Sequence, residues 1–244
     1  MDHAAAYQTD LAYIHDVGYG WFAAGSAPGL LHELHAAGID AGLVVDLGCG
    51  SGIWARHLVD AGYDVVGIDL SPAMIELARQ RVPQAQFQVG SFVEATLPPC
   101  RAITALGEVF NYLFDERVSL DTLQAVIQRA YDALAPGGLL IFDVATLDRH
   151  RSRKQAFTEG DDWACLVEYQ RGEARRRLSR RIVTFRRIGE AYRRHVETHV
   201  QQLFDPAEIL ACLRQAGFTA RTIPSYGTYP LGEGVLGFIA AKSS

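Results

Sequence analysis

No apolar run among the 244 residues approaches the ~20 that a membrane helix needs. The opening Met1-Asp2-His3 lacks the basic start and apolar stretch of a secretion signal. Cysteine is scarce and scattered. Cys49, Cys100, Cys165 and Cys212 include no Cys-x-x-Cys pair, which predicts reduced thiols and a cytoplasmic protein. The helical His-Glu-x-x-His pattern of a zinc site is also missing, so no metal is expected. What is present, 49% hydrophobic residues in a chain of this length, can fill one core with room for an elaboration.

Residues 43–52, Leu-Val-Val-Asp-Leu-Gly-Cys-Gly-Ser-Gly, carry the most information. A buried-strand run breaks into a glycine turn, and an amphipathic segment from Ile53 to Ala61 follows at once. Strand, glycine loop and helix in that order form a nucleotide-type cofactor site, because glycine lets a ligand press against bare main chain. A dinucleotide fingerprint wants Gly-x-Gly-x-x-Gly over a pyrophosphate. Here Gly48, Gly50 and Gly52 place the third glycine one residue early, and Asp46 at the strand end would repel pyrophosphate and attract a cation. Cys49 reads as a small residue filling the turn. A second strand, Tyr63 to Asp69, ends in a carboxylate 19 residues beyond Gly50, suited to a ribose diol. Ser71-Pro72 then starts a helix as cap and first-turn proline.

This stretch resembles motif I of class I S-adenosylmethionine-dependent methyltransferases, an acidic residue followed by Gly-x-Gly-x-Gly. The resemblance implies S-adenosylmethionine as cofactor, held by Asp46, Gly48, Cys49, Gly50 and Asp69, with Leu70 and Met74 near the adenine. It also implies an α/β fold with a doubly wound, mostly parallel seven-stranded sheet. The later pattern agrees: strands at Ala85–Val89, Arg101–Leu106 and Leu139–Val144, and a helix from about Leu120 to Ala135 ended by Pro136-Gly137-Gly138. A capped helix at Asp205-Pro206-Ala207-Glu208 and strands at Thr219–Pro224 and Val235–Ala241 close the chain. The last strand is expected to enter antiparallel, as in those enzymes.

Two departures stand out. The turn after the third strand has Ser91 where the family commonly has an adenine-binding Asp; its hydroxyl can still accept from the amine, and the Phe92 N–H can donate to the ring. The Asn/Asp-Pro-Pro-Tyr of nucleic-acid amino methyltransferases is absent, and Cys100 precedes the fourth strand rather than following it, so it reads as a loop thiol. Leu106 and Gly107 should border the cofactor. Glu108, Asn111 and Tyr112 lie at the cleft outside the strand ends, where an acceptor would bind. Glu108 and Tyr112 are assigned to catalysis, with Glu108 orienting an amine or acting as base, and Asn111 to substrate.

Residues 145–204 are too long for a plain connection. Trp163–Gln170, Leu178–Arg187 and Tyr192–Phe204 alternate as three antiparallel strands, with turns at Glu173-Ala174 and Gly189-Glu190. The division is therefore an N-terminal helical cap (1–40), a core (41–145 and 205–244) and an inserted antiparallel β-sheet lid (146–204) over the acceptor. Residues 151–200 carry a charge of +6 against −11 for the remainder. Arg175-Arg176-Arg177 and Arg180-Arg181 are read first as a solvated or subunit-facing surface, which leaves room for a homodimer, then as an anion-binding substrate wall, and last as a nucleic-acid site. On the last insert strand, His195, Glu197, His199 and Gln201 share one face, and Tyr192, Val196, Val200 and Phe204 the other. The apolar face is expected to pack, leaving His199 as a substrate-facing base and Glu197 as a substrate contact. His32 and His35 read as exposed helix residues. Among the aromatics of 7–24, Tyr13 is expected to reach the cofactor and His15 the acceptor.

Methyl transfer is an in-line displacement that needs alignment and water exclusion more than an invariant nucleophile. The sequence reading is therefore a methyltransferase acting on N, O or carboxylate of a small molecule. A non-catalytic S-adenosylmethionine-binding module and an NAD-dependent dehydrogenase are the alternatives.

Overall fold

The computed structural model describes residues 7–115, 117–150, 154–172 and 176–243. Met1-Asp2-His3, the Glu173-Ala174 turn and Arg175 lie outside the described residues.

Two helices, α1 (Thr9–Tyr19) and α2 (Trp21–Ala36), precede the first strand, β1 (Gly42–Leu47). Then α3 (Ile53–Asp60), β2 (Tyr63–Asp69), α4 (Pro72–Arg81), β3 (Gln86–Val89) and β4 (Cys100–Ala105) alternate. A 3-10 turn at Val109–Asn111 leads to α5 (Leu120–Ala133) and β5 (Leu134–Ala145). Four strands follow: β6 (Gln155–Glu159), β7 (Trp163–Arg171), β8 (Arg177–Ile188) and β9 (Ala191–Gln202). The chain then forms α6 (Pro206–Ala216), β10 (Thr219–Ile223), the short β11 (Ser225–Tyr226) and β12 (Tyr229–Pro230), and β13 (Val235–Ala241).

The seven-stranded sheet runs β10-β13-β5-β4-β1-β2-β3, with β13 antiparallel to both neighbours and the remaining pairs parallel. Alternation along each strand divides the core. Val45 and Leu47 pack with α5 and α6 on one face, while Val44 packs with α2, α3 and α4 on the other. Local chemistry sets the helix starts. Ser71 Oγ accepts from Met74 N at 3.2 Å, and Asp205 and Glu208 form a reciprocal capping box. The chain order reverses between β1 and β4, so the carboxyl ends of these strands open onto a crevice.

Two expectations about the strands change. Pro136-Gly137-Gly138 sits inside β5, because Leu134 already pairs with Cys100 and the ladder shifts register before Ala102 meets Leu139. The insert has four antiparallel strands, in the order β6-β7-β8-β9, rather than three. The insert also packs the other way round. Glu197, His199 and Gln201 are buried, whereas Val196 and Val200 are half-buried, Tyr192 is exposed, and only Phe204, beyond the end of β9, is buried as expected. The polar face turns inward because it finds partners there: the N-terminal segment and the loop after β4. That loop is held by a Tyr112–Gln201 bridge and by Leu113 N donating to Val200 O at 2.8 Å. Helix α1 packs Leu11 and Ile14 against Trp163, Cys165 and Ile182 of the insert, and Asp10 is gripped by Arg186 and Arg193.

Candidate active site

The crevice holds a cavity of about 670 Å³, walled by the strand ends, the N-terminal segment, and β6, β7 and β8 of the insert. At its floor the glycine loop takes left-handed conformations, with φ 65° at Gly48 and 53° at Gly50. A Cβ on Gly48 would stand 2.4 Å from the Val109 side chain, whereas one on Gly50 would meet nothing within 4 Å. Gly50 therefore offers bare backbone to a ligand. Asp69 Oδ2 accepts from Gly50 N at 2.9 Å and its Oδ1 from Ser71 N at 2.8 Å. Burial raises its pKa against the pull of those two N–H groups. Asp46 is buried, takes a 2.7 Å hydrogen bond from Thr104 Oγ1, and is pushed by burial to about 7. Among the described residues neither carboxylate has a Lys or Arg partner. Two acids beside bare backbone fit a cationic ligand with a ribose diol and oppose a pyrophosphate.

Cys49, Leu70, Met74, Ser91, Phe92, Leu106 and Gly107 also line the cavity, as do His15, Glu108 and Tyr112. Asp143 fixes the β4 loop, accepting from Gly107 N (2.9 Å), Glu108 N (2.6 Å) and Tyr226 Oη (2.9 Å), and burial raises it to about 6. His15 is half-buried between Tyr7 and Tyr19, and burial, with Arg180 nearby, lowers it to about 4. Its imidazole is neutral at pH 7.

Four assignments need correction, and a fifth, Glu108, is qualified by its electrostatics. Tyr13 is not on the cavity wall; its hydroxyl donates to Asp162 at 3.0 Å and Arg186 stacks on its ring, because α1 turns that side toward the insert. Asn111 is fully buried and used up as a clasp, donating to Ala145 O and Gln202 O and accepting from Ala145 N. Glu197 does not line the cavity itself; its carboxylate accepts from Tyr7 N (2.9 Å) and Gln8 N (3.0 Å) and so holds a wall residue in place. His199 has no exposed surface, lies behind Tyr7, Tyr112 and Phe114, and holds Glu197 at 2.9 Å, with its pKa lowered by burial. Glu108 does reach the cavity, where its ion pairs make it a weaker base than a free carboxylate. Burial would raise its pKa, yet Arg149 (2.7 Å) and Arg180 (3.9 Å) outweigh burial and leave it below the ordinary value.

Arg149 and Arg180 escaped the sequence reading as individuals. Arg180 was hidden in an Arg-rich run whose other described members, Arg176, Arg177 and Arg181, are exposed. Strand alternation, which sends residue 180 inward and 181 outward, was the available signal. Tyr7 also matters more than expected. Its carbonyl accepts from Ser71 Oγ at 2.9 Å and its hydroxyl meets Tyr112 Oη at 3.1 Å. Arg180 in turn donates to the Tyr112 hydroxyl.

Comparison with known proteins agrees with this geometry. A family model described as a methyltransferase domain matches residues 19–223. YqeM of Bacillus subtilis (strain 168), provisionally named a methyltransferase, is 30% identical over 192 residues, covering 73% of this chain and 74% of that protein. A crystal structure of an S-adenosylmethionine-dependent methyltransferase from Clostridium acetobutylicum ATCC 824 superposes with a TM-score of 0.80 at 17% identity, over 96% of this chain and 98% of that one. The S-adenosylmethionine-bound CalS10 of Micromonospora echinaspora, an amino pentose methyltransferase involved in calicheamicin biosynthesis, gives 0.75 at 22% identity, over 97% of each chain. The chain belongs to the methyltransferase domain family, as a class I S-adenosylmethionine-dependent methyltransferase with an antiparallel sheet inserted after β5. No helix among the described residues is long and apolar enough to cross a membrane.

Proposed function

We propose that this enzyme methylates a small molecule carrying an anionic group, with the insert as the roof of the acceptor pocket. The observation behind this reading is a charge imbalance. Arg149 and Arg180 share one carboxylate, Glu108, and Arg180 Nε is buried with no hydrogen-bond partner among the described residues. A buried cation lacking a full partner is costly, and an acceptor carboxylate or phosphate would complete it.

Backbone at Gly48, Cys49 and Gly50, the Asp69 carboxylate, and the walls at Leu70, Met74, Ser91, Phe92, Leu106 and Gly107 would hold the cofactor. When bound, S-adenosylmethionine supplies an electrophilic methyl group on a sulfonium sulfur. Asp46 and Asp69 favour positive charge at that end of the cavity, as Arg149 and Arg180 favour negative charge at the other. Glu108 positions the two guanidiniums, and Tyr112 supports Arg180. Neutral His15 presents its ring to the cavity and can donate or accept one hydrogen bond to orient the acceptor.

With Glu108 ion-paired and His15 a weak base, the acceptor end has no strong general base among the described residues. The acceptor must arrive with its lone pair free. A carboxylate does so near pH 7; an amine does so when it enters unprotonated. The four unpaired cysteines, all buried, support work in a reducing compartment, which we take to be the cytoplasm.

The test is transfer of labelled methyl from S-adenosylmethionine to matched acceptors with and without a carboxylate or phosphate. Arg180→Met should raise KM for the anionic member at least 10-fold, as when one charge-assisted bond is lost, while S-adenosylhomocysteine affinity holds. Equal turnover of the neutral member would remove the anionic reading.

A further inference from the structure

Ser91 follows β3 and lines the cavity, as do its neighbour Phe92 and the residues Leu70 and Met74 that follow β2. Its hydroxyl is not free to rotate. Ser91 Oγ donates to Asp115 Oδ2 at 2.7 Å and accepts from Val93 N at 3.2 Å. Asp115, from the loop between β4 and α5, is 4% exposed and cannot donate in return, because hydrogen bonds from Arg117 hold it ionised at a pKa of about 2. Its remaining acceptor positions are also taken. Oδ1 receives Arg117 N (3.1 Å) and Arg117 Nε (2.7 Å), and Oδ2 receives Arg117 Nη2 (2.6 Å) as well as Ser91. A hydroxyl oxygen has one proton and two lone pairs. With the proton committed to Asp115 and one lone pair to Val93, Ser91 has a single lone pair left.

We infer that Asp115 is a positioning residue that makes Ser91 an obligate acceptor, so that the apolar slot formed by Leu70, Met74 and Phe92 selects a purine bearing an exocyclic amine over one bearing an oxo group. The inference rests on the cofactor reading above and adds how the base is chosen. The slot supplies stacking and apolar contact that any purine satisfies, so discrimination falls to the hydroxyl at its rim. An amine donates to the remaining lone pair. An oxo group sets two acceptors against each other and leaves both unpaired, which is the more costly outcome. Asp115 also borders the cavity, but four hydrogen bonds occupy its oxygens, so it acts on the base through Ser91. The shared carboxylate also explains why a serine suffices at the turn: the negative charge stands one hydrogen bond behind the contact, supplied by a different loop.

The experiment is calorimetry with S-adenosylhomocysteine and its 6-oxo (inosine) analogue on the intact chain. The wild type should prefer the amine by about 10- to 100-fold, the range expected for one hydrogen bond exchanged for an unpaired acceptor. In Asp115→Asn the amide can donate to Ser91, whose own proton then turns outward, so the preference should fall below about threefold or invert. Ser91→Ala should also lose it, and Asp115→Glu should restore part of it. Circular dichroism and melting confirm that each variant is folded. A folded Asp115→Asn that keeps the wild-type preference overturns the inference, because a merely structural Asp115 would alter both affinities together. Failure of the wild type to bind either nucleoside overturns the cofactor reading and this inference with it.

Discussion

Replacing Asp69 by alanine separates ligand recognition from folding. The carboxylate has four acceptor positions; Gly50 N and Ser71 N occupy two, leaving two for a ribose diol. Losing a pair of charge-assisted hydrogen bonds, with water partly replacing them, should cost about 2–4 kcal/mol of binding, or roughly 30- to 900-fold in Kd. The unliganded protein should change little. Asp69 also anchors two backbone N–H groups, but burial raises its pKa against them, so relief of the buried charge offsets part of what is lost. Calorimetry with S-adenosylhomocysteine gives the first quantity and thermal unfolding without ligand the second. Asp69→Asn should behave similarly in binding, since its amide must present a donor where an acceptor is needed. A folded Asp69→Ala that binds S-adenosylhomocysteine as tightly as the wild type would refute the assignment of the glycine-loop cavity to this cofactor.

Three further outcomes follow from the same geometry. Asp46 is raised by burial from 3.8 to about 7, so its contribution to stability is present below pH 3.8 and lost as pH climbs toward 7. Asp46→Asn should therefore raise Tm at pH 8 by up to the equivalent of about 4 kcal/mol and far less at pH 4; a pH-independent effect would contradict the buried charge. Reversing exposed Arg176 and Arg177 to Glu should leave turnover within about twofold, and a large rise in acceptor KM would show that this face meets substrate. NAD should not shift Tm, whereas S-adenosylhomocysteine at ~100 times its Kd should add roughly 2.7 kcal/mol of stability by melting analysis.

The elements legible in the sequence are those whose causes are local. The Ser71 and Asp205 caps, the glycine turn after β1 and the acid ending β2 each follow from a few adjacent residues, and all were placed within a residue or two. The antiparallel last strand came from resemblance. The insert was legible as alternating strands, but its inward face was not. Period two separates His199 from Val200 without saying which side meets the protein, and hydropathy chose the wrong one. Glu197 and His199 are buried because Tyr7 N and Gln8 N, about 190 residues earlier in the chain, supply donors. The same blindness hid Arg149 beside Glu108 and Asp115 behind Ser91. These pairs are created by the fold, and no single-sequence pattern marks them. Asn111 was placed at the right end of the sheet, but spacing cannot reveal that its amide is already committed to backbone.

Tyr7 and Gln8 have a consequence for timing. Four hydrogen bonds tie them across the wall of the cavity: two into Glu197, one from Ser71 and one with Tyr112. At about 1 kcal/mol net for each, releasing them together costs about 4 kcal/mol, so roughly one molecule in a thousand has this seam undone at any instant. A ligand lodged against Tyr7 is expected to leave more slowly on that side than it would past an untied segment. Exchange on that side is therefore expected to depend on a segment that the proposed chemistry does not use.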